Sequence, residues 1–282
     1  MAFRDSRLID DDDMDEGDRA TGTQLLDRAV AVLNFLGEAG QGGARVSAIT
    51  EAVGLKSSTA HRIITALERH NLIEREKATR RYRLSVALFA LGSQAAEGTG
   101  LRKLCRPALL RIAAETGDTI FLMARSGSNA VTVDRQEGTY MIASLTNNIG
   151  GQIPLGVGPA GEAILAFLPP DEIDAVLSVN ANAYTAFNGL AASEVKTALP
   201  LIRERGYAID EGRLVEGISA LAVPIRPKGR DVVAALSINM TSARLAPARL
   251  PALLAMLRRE VAIVEAQLSA TGKRRMAPAD EA

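Results

Sequence analysis

Short polar and cationic side chains are concentrated between residues 56 and 69, at spacings that suit contact with a polyanion. An apolar stripe of Ala60, Ile63, Ile64 and Leu67 runs through the same segment. On a helix this stripe faces a core and leaves the polar groups on the other side. Those polar groups belong to Lys56, Ser57, Ser58, Thr59, His61, Arg62, Thr65 and Arg69. Small hydroxyl residues at a helix start permit close approach to phosphate, and an arginine further along reaches a base edge.

A basic hairpin is predicted directly after this helix, over residues 72–85. Its turn carries Lys77, Arg80 and Arg81, which are placed to contact the neighbouring DNA backbone. Nine basic and four acidic side chains occur between residues 45 and 83, although the net charge of the whole chain is zero. Such a block is the electrostatic footprint of a nucleic-acid partner, while a solvated charged face is the alternative that charge alone leaves open.

Few residues elsewhere are suited to catalysis or metal binding. His61 and His70 are the only histidines and Cys105 is the only cysteine. This composition excludes an intrachain disulfide, makes a Cys/His zinc site very hard to build, and leaves the second half without a histidine for a catalytic triad. We expect no cofactor and no metal, and we keep an enzyme acting on a small metabolite only as an alternative.

Apolar periodicity places the polar helix in a small helical domain. Steps of three and four predict helices over 24–38, 46–53 and 57–70, with Gly54 in the turn between the last two. Three helices followed by a basic hairpin form a winged helix-turn-helix, which inserts its third helix into the major groove of DNA.

The second half of the chain mixes helices with consecutive strands. Strands are predicted over 119–125, 130–135 and 140–146, then a helix over 161–168, and the chain ends in a helix over 247–270. This order is typical of an α+β fold. No apolar stretch is long enough for a membrane span, and the acidic N-terminus is unlike a signal peptide, so we expect a cytoplasmic protein without membrane contact.

Residues 156–161 match the Gly-x-Gly-x-x-Gly pattern of dinucleotide sites, but their surroundings do not. The preceding segment is a poor strand, and Ala181 stands where a ribose-binding acid is needed. We interpret the segment as a turn into a helix whose first amides attract an anion. Ser237 and Asn239 share one face of an apolar strand, so each needs a ligand or a structural hydrogen bond.

The chain resembles IclR-type bacterial transcriptional regulators over about residues 22–270. The first half carries the resemblance in LLDRAVAVLNFL, VSAITEAVGLKSSTAHRIITALERHNLIERE and RRYRLS. The second half carries it in AVTVDRQEG, IPLGVGPAGEAILAFLP and IRERGYAIDEGRLVEGISALAVPI. The resemblance implies an α+β protein, with an N-terminal winged helix-turn-helix joined by a linker helix to a GAF-like α+β effector-binding domain.

The resemblance also implies an effector pocket at the helix that follows the glycine-rich turn. By match, its walls are Ile142, Leu145, Ile153, Pro159, Ala160, Gly161, Asp210, Ile218, Ala220, Ser237 and Asn239. The family commonly recognises small organic acids, so a carboxylate or an aromatic acid is the expected effector. Glu162 stands where the family commonly has a lysine, and a negative charge facing the pocket would disfavour an anion.

The sequence therefore predicts a ligand-responsive transcriptional regulator. Its expected partners are double-stranded operator DNA, a small-molecule effector and further copies of itself, as a dimer or a dimer of dimers. The expected organisation is an acidic disordered tail over 1–21, a DNA-binding domain over 22–84, a linker helix over 85–98, an effector-binding domain over 99–271 and a disordered tail over 272–282. A DNA-binding protein without a ligand is the second alternative.

Overall fold

The computed structural model describes residues 23–140, 142 and 149–276 of the chain. The chain divides into two compact units, residues 1–98 and 99–282. The predicted acidic tail over 1–21 and the last six residues of the predicted C-terminal tail lie outside the described residues.

The first unit packs three helices and a hairpin around an aliphatic core. Its elements are α1 (Thr23–Ala39), α2 (Val46–Ala52), α3 (Ser57–Arg69), β1 (Ile73–Arg75), β2 (Tyr82–Leu84) and α4 (Val86–Thr99). Leu36, Ile49, Ile64 and Ile73 come from four different elements and are almost completely buried together. The first three helices match their predicted spans to within one residue at each end, and β1 pairs antiparallel with β2. The predicted winged helix-turn-helix is confirmed.

The second unit is built on an antiparallel sheet with helices on both faces. Its elements are α5 (Leu101–Thr116), β3 (Thr119–Ser126), β4 (Asn129–Gln136), β5 (Gln152–Pro154), α6 (Gly158–Leu165), α7 (Pro170–Tyr184), α8 (Ala192–Arg205), β6 (Ala208–Val215), β7 (Ile218–Ile225), β8 (Ala234–Thr241) and α9 (Leu250–Met276). Among the described residues, the strand order is β5-β4-β3-β8-β7-β6. This architecture confirms the α+β fold class.

The central strand β3 is buried on both faces, as its unbroken apolar run requires. Ile120 and Leu122 pack with α5 and α9, whereas Phe121 and Met123 pack with α6, α7 and α8. Successive side chains of a strand alternate between faces, so one apolar run serves two cores. The consequence is that α6 lies on the face of the sheet to which Phe121 and Met123 point.

Proline is the reason for two differences from the predicted elements. Pro159 lies in the first turn of α6, where its fixed φ suits a helix start, so α6 begins at Gly158 rather than at residue 161. Pro169 and Pro170 directly follow the predicted helix over 161–168, and they begin α7, which we did not predict. Asp171 and Glu172 in the first turn of α7 complement the helix dipole and are a sequence signal for this start.

Two further differences from the predicted elements concern the segment before α6 and the end of α9. The strand predicted over 140–146 falls largely outside the described residues, and the edge strand that pairs with β4 is Gln152–Pro154, in the segment interpreted as a poor strand. Helix α9 continues to Met276, five residues into the predicted C-terminal tail. A single glycine at residue 272 costs a helix only about 1 kcal/mol, too little to end it in a run of good helix formers.

Candidate DNA-binding surface and effector cavity

The polar face of α3 is open to solvent. Ala60, Ile63, Ile64 and Leu67 are buried against α1 and α2, which turns the remaining side chains outward. Of the predicted contact residues in this segment, Thr59 is partly buried and the rest are exposed: Lys56, Ser57, Ser58, His61, Arg62, Thr65 and Arg69. The helix therefore presents hydroxyls near its start and cations along its length, an arrangement that suits phosphate and base-edge contacts.

The start of α3 also offers backbone donors. Lys56 precedes the helix in an extended conformation, and it provides no side-chain cap to the first turn. The first amides of a helix have no intrahelical acceptor and carry the positive end of its dipole. They add to the cations of this face as groups that can bind a phosphate.

The hairpin is a hydrogen-bonded turn with exposed cations. Glu74 lies opposite Arg83 across the strands, and Arg83 Nε donates to Glu74 Oε1 at 2.6 Å. Arg80 occupies the left-handed region with φ of 58°, and its amide donates to the Glu76 carbonyl oxygen at 2.9 Å. Lys77 and Arg80 are both exposed at this turn. Their charges are therefore presented on a loop whose backbone is held by hydrogen bonds.

Arg81 is exposed as well, but its guanidinium turns back onto its own unit. Arg81 Nη1 donates to the carbonyl oxygen of Gly42 at 3.3 Å, in the loop between α1 and α2. This hydrogen bond uses part of the Arg81 guanidinium, which the sequence predicted to contact DNA.

An open cavity lies in the second unit, between the start of α6 and strands β3, β5, β6, β7 and β8. Its lining comprises Phe121, Met123, Ile153, Val157, Gly158, Pro159, Ala160, Asp210, Leu214, Val215, Ile218, Ala220, Ser237 and Asn239. Most of these side chains are apolar, which is typical of small-molecule sites. The polar groups of the lining are concentrated on β6 and β8.

The structure brings most of the predicted effector-binding residues to this cavity. Those that line it are Ile153, Pro159, Ala160, Asp210, Ile218, Ala220, Ser237 and Asn239. Ile142 is buried but does not contribute to the described lining, and Leu145 lies outside the described residues. Gly161 does not contribute either, because a Cβ there would lie 3.0 Å from the Gly156 amide nitrogen, so it packs on the preceding turn.

Several apolar walls of the cavity were not predicted from the sequence. They are Phe121, Met123, Val157, Gly158, Leu214 and Val215. Phe121 lies directly opposite Ser237 in the pairing of β3 with β8. Alternation along β3 is visible in the sequence, but only the pairing register places Phe121 beside the polar residues of β8.

The polar groups of the lining are partly engaged within the protein. Ser237 Oγ donates to Asn239 Oδ1. The sequence predicted either a ligand or a structural hydrogen bond for these two side chains, and this bond is a structural one. The Asp210 carboxylate accepts the backbone amides of Arg213 at 3.2 Å and Leu214 at 3.4 Å. Burial nevertheless raises the pKa of Asp210, with these amides opposing the rise. Asp210 is the one charged side chain in the described lining.

Glu162 lies on α6, four residues after the lining residue Gly158, and is partly buried. Loss of solvent raises the pKa of its carboxyl to about 7, and the charge of Asp210 contributes to the rise. Arg205 and Arg213 act in the opposite direction. Glu162 and Asp210 therefore influence each other electrostatically.

Neither a metal centre nor a membrane span is apparent in the described part of the chain. No group of three or more His, Cys, Asp or Glu side chains there is arranged to hold a metal ion. None of the helices described above combines the length and the apolar character that crossing a membrane requires.

Comparison with known proteins matches both units to one family. Residues 25–77 match the sequence model described as the IclR helix-turn-helix domain, and residues 93–265 match the bacterial transcriptional regulator IclR C-terminal model. The transcriptional repressor AllR of Klebsiella pneumoniae is 28% identical over 229 residues, which cover 81% of this chain and 84% of AllR.

Solved structures agree with the sequence matches. An IclR transcriptional regulator from Alicyclobacillus acidocaldarius is 26% identical with a TM-score of 0.73, covering 87% of this chain and 98% of that one. An IclR homologue from Microbacterium hydrocarbonoxydans, crystallised with 4-hydroxybenzoate, has a TM-score of 0.72 at 23% identity, covering 87% of this chain and 99% of that one. The second likeness is one of fold.

Proposed function

The chain belongs to the IclR family of bacterial transcriptional regulators, and from this membership we propose that it controls transcription by binding operator DNA under the control of a small organic effector. Its curated relatives are transcriptional repressors and regulators, so the chain is a regulator and not an enzyme, as the sequence predicted. In this proposal residues 22–84 bind DNA, residues 85–98 link the units and residues 99–271 bind the effector. A DNA-binding regulator of this kind acts in the cytoplasm.

The exposed polar face of α3 is the main support for the proposal that the chain binds DNA. Arg62 and His61 project from the same helix whose Ile63 and Ile64 are buried, so the helix is fixed while its polar face is free to enter a groove. We assign base and backbone contacts to this face and backbone contacts to Lys77 and Arg80 on the hairpin. The contact surface of one such unit is small, so a single unit binds weakly.

Self-association through α4 completes this part of the proposal. Val86, Phe89 and Leu91 are 78%, 71% and 56% exposed on that helix. Apolar side chains of this size in one short segment are suited to packing against a second copy. A dimer, or a dimer of dimers, doubles the contacts with DNA and sets the spacing of two half-sites.

The effector part of the proposal is supported by the cavity beside α6. The expected effector is a small carboxylate or aromatic acid, and the cavity has the apolar walls and the few polar groups that such a molecule needs. The first amides of α6, at the lining residues Gly158 and Ala160, suit a carboxylate. An effector changes DNA binding only if it prefers one arrangement of the protein over another.

Selection of bound fragments from genomic DNA tests the function as a whole. The purified chain is expected to enrich a sequence with two related half-sites and to bind it at least 1,000-fold more tightly than a random duplex, as an order of magnitude for specific regulators. Binding to the selected duplex should weaken steeply with salt, with a log–log slope of about 0.9 per neutralised phosphate. A chain that enriches no sequence, or whose affinity is independent of salt, contradicts the proposal.

A further inference from the structure

We propose that the basic surface of the first unit, formed by the exposed cations between residues 45 and 83, also binds the acidic segment of the chain, residues 1–20. DNA must then displace this segment in order to bind. The segment is an internal competitor that lowers the affinity for every duplex. This inference rests on the DNA-binding part of the proposed function and assigns a second partner to the same surface.

The basic surface carries positive charge that its own unit leaves unbalanced. All nine basic side chains between residues 45 and 83 are exposed: Arg45, Lys56, Arg62, Arg69, Arg75, Lys77, Arg80, Arg81 and Arg83. Within the described residues, Arg83 is the one of these nine that pairs with a carboxylate, that of Glu74 at 2.6 Å. Arg81 donates to backbone carbonyl oxygens, which carry no net charge. A surface of this kind attracts a polyanion, and DNA is only one example.

Residues 1–20 carry the opposite charge in a matching amount. They contain eight acidic and three basic side chains, which gives a net charge of −5, whereas residues 45–83 have a net charge of +5. Seven of the eight acidic side chains lie between residues 10 and 18. Such a dense run of carboxylates is, like DNA, a linear polyanion. The two segments are therefore complementary in sign and in magnitude.

The acidic segment is long enough to reach the basic surface from its point of attachment. Helix α1 begins at Thr23 and packs in the same core as α3. Twenty residues span at most about 70 Å, whereas a folded unit of this size is roughly 30 Å across. Attachment also keeps the local concentration of the segment on the order of 1 mM. A competitor with a dissociation constant of about 0.1 mM, as for weak non-specific binding, then lowers the affinity for DNA about tenfold.

Neutralising part of the acidic segment in the full chain tests the competition. Asp10→Asn, Asp11→Asn, Asp12→Asn and Asp13→Asn together change the net charge of residues 1–20 from −5 to −1. Binding to a random 30-base-pair duplex at about 50 mM salt should strengthen about tenfold. Because salt screens the contact between the segment and the surface, the two chains should converge above about 300 mM salt. Fluorescence anisotropy measures both effects.

The matched control removes four charges from the second unit. Its substitutions are Glu204→Gln, Glu211→Gln, Glu216→Gln and Asp231→Asn, all at exposed positions. It changes the net charge of the chain by the same amount and should leave the affinity within about twofold of wild type. Equal strengthening by the two variants, or none by the first, would overturn the inference. Should none of the three chains bind the duplex at low salt, the proposed DNA binding itself fails, and this inference fails with it.

Cross-linking distinguishes a segment that occupies the basic surface from one that repels DNA at a distance. A carbodiimide joins a carboxylate to a lysine amine in contact with it, and Lys56 and Lys77 are the lysines of this surface. Without DNA, mass spectrometry should find residues 8–19 joined mainly to these two lysines rather than to the exposed Lys103 and Lys228 of the second unit. Excess duplex should abolish these links. Links spread evenly over the four lysines, or unaffected by the duplex, contradict docking of the segment.

Discussion

Arg81 Nη1 donates to the carbonyl oxygen of Gly43 at 3.0 Å and so fastens the hairpin to the loop that follows α1. Paired backbone bonds of 2.8 Å between Ala44 and Tyr82 join the same two segments. Gly43 has φ of 55°, and a Cβ there would lie 2.5 Å from the Tyr82 carbonyl oxygen. We therefore propose that Arg81 supports DNA binding mainly by holding the hairpin in place. Lys77 and Arg80 are exposed on the turn of that hairpin.

Lysine substitutions distinguish an arginine that positions the hairpin from one that contacts phosphate. Arg81→Lys should weaken binding to a random 30-base-pair duplex by about 1 kcal/mol, because an ammonium cannot reproduce the fork-like contacts of a guanidinium with two carbonyl oxygens. Arg80→Lys keeps a cation at an exposed position and should leave both the affinity and its salt slope nearly unchanged. Fluorescence anisotropy across a salt series measures both quantities. Equal behaviour of the two variants argues against a positioning role.

Arg62 is expected to contribute directly to operator binding. Arg62→Ala should cost roughly 1–3 kcal/mol on the selected operator, since the residue is exposed on the proposed reading face of α3. Arg230→Ala removes the same charge from an exposed position of the second unit and serves as the control. An affinity for the operator that is unchanged by Arg62→Ala at moderate salt would remove this residue from the interface.

Ser237 and Asn239 are expected to control the response to effector rather than DNA binding itself. Replacing both by alanine removes the hydrogen-bonded pair from the cavity wall, so an effector loses its polar contacts on β8. Operator affinity without effector should stay within about twofold of wild type, while the change in affinity caused by the effector should fall at least tenfold. A double variant that responds normally shows that the pair is only structural.

The acidity of Glu162 predicts how stability depends on pH. Its pKa in the folded protein is raised to about 7 from an ordinary 4.5, so folding favours the protonated form. The resulting stabilisation is complete below about pH 4.5 and is lost as the pH rises through 7, amounting to about 3 kcal/mol at most. Glu162→Gln lacks this titration.

Comparing the wild type with Glu162→Gln isolates the contribution of the Glu162 titration to stability. Between pH 4.5 and 8 the free energy of unfolding of the wild type should fall relative to that of Glu162→Gln, and the difference should level off above pH 8. Denaturant titrations at several pH values measure it. A constant difference across the range means that Glu162 is not desolvated in the folded protein.

The apolar side chains of α4 predict the outcome of a charge substitution. Phe89 is 71% exposed within a single chain, so Phe89→Glu should leave the fold intact but oppose its burial against a second copy. Sedimentation equilibrium should then show a smaller assembly than the wild type, with weaker operator binding at equal protein concentration. An unchanged mass would direct the search for the self-association surface to other parts of the chain.

The sequence alone determined the features that depend on local periodicity. Ile63 and Ile64 recur at helical spacing, so the exposure of Arg62 follows from the geometry of one helix. Strand alternation likewise put Ser237 and Asn239 on one face of β8. These relationships involve residues a few positions apart, for which backbone geometry is sufficient.

Only the tertiary structure decided which distant residues share a site. The pairing of β3 with β8 places Phe121 opposite Ser237, and the charge of Asp210 on β6 helps to raise the pKa of Glu162 on α6. Arg81 was assigned to DNA from its charge, yet its guanidinium binds carbonyl oxygens nearly forty positions earlier. Contacts of this kind depend on strand register and on the docking of elements, which a local pattern of residues does not encode.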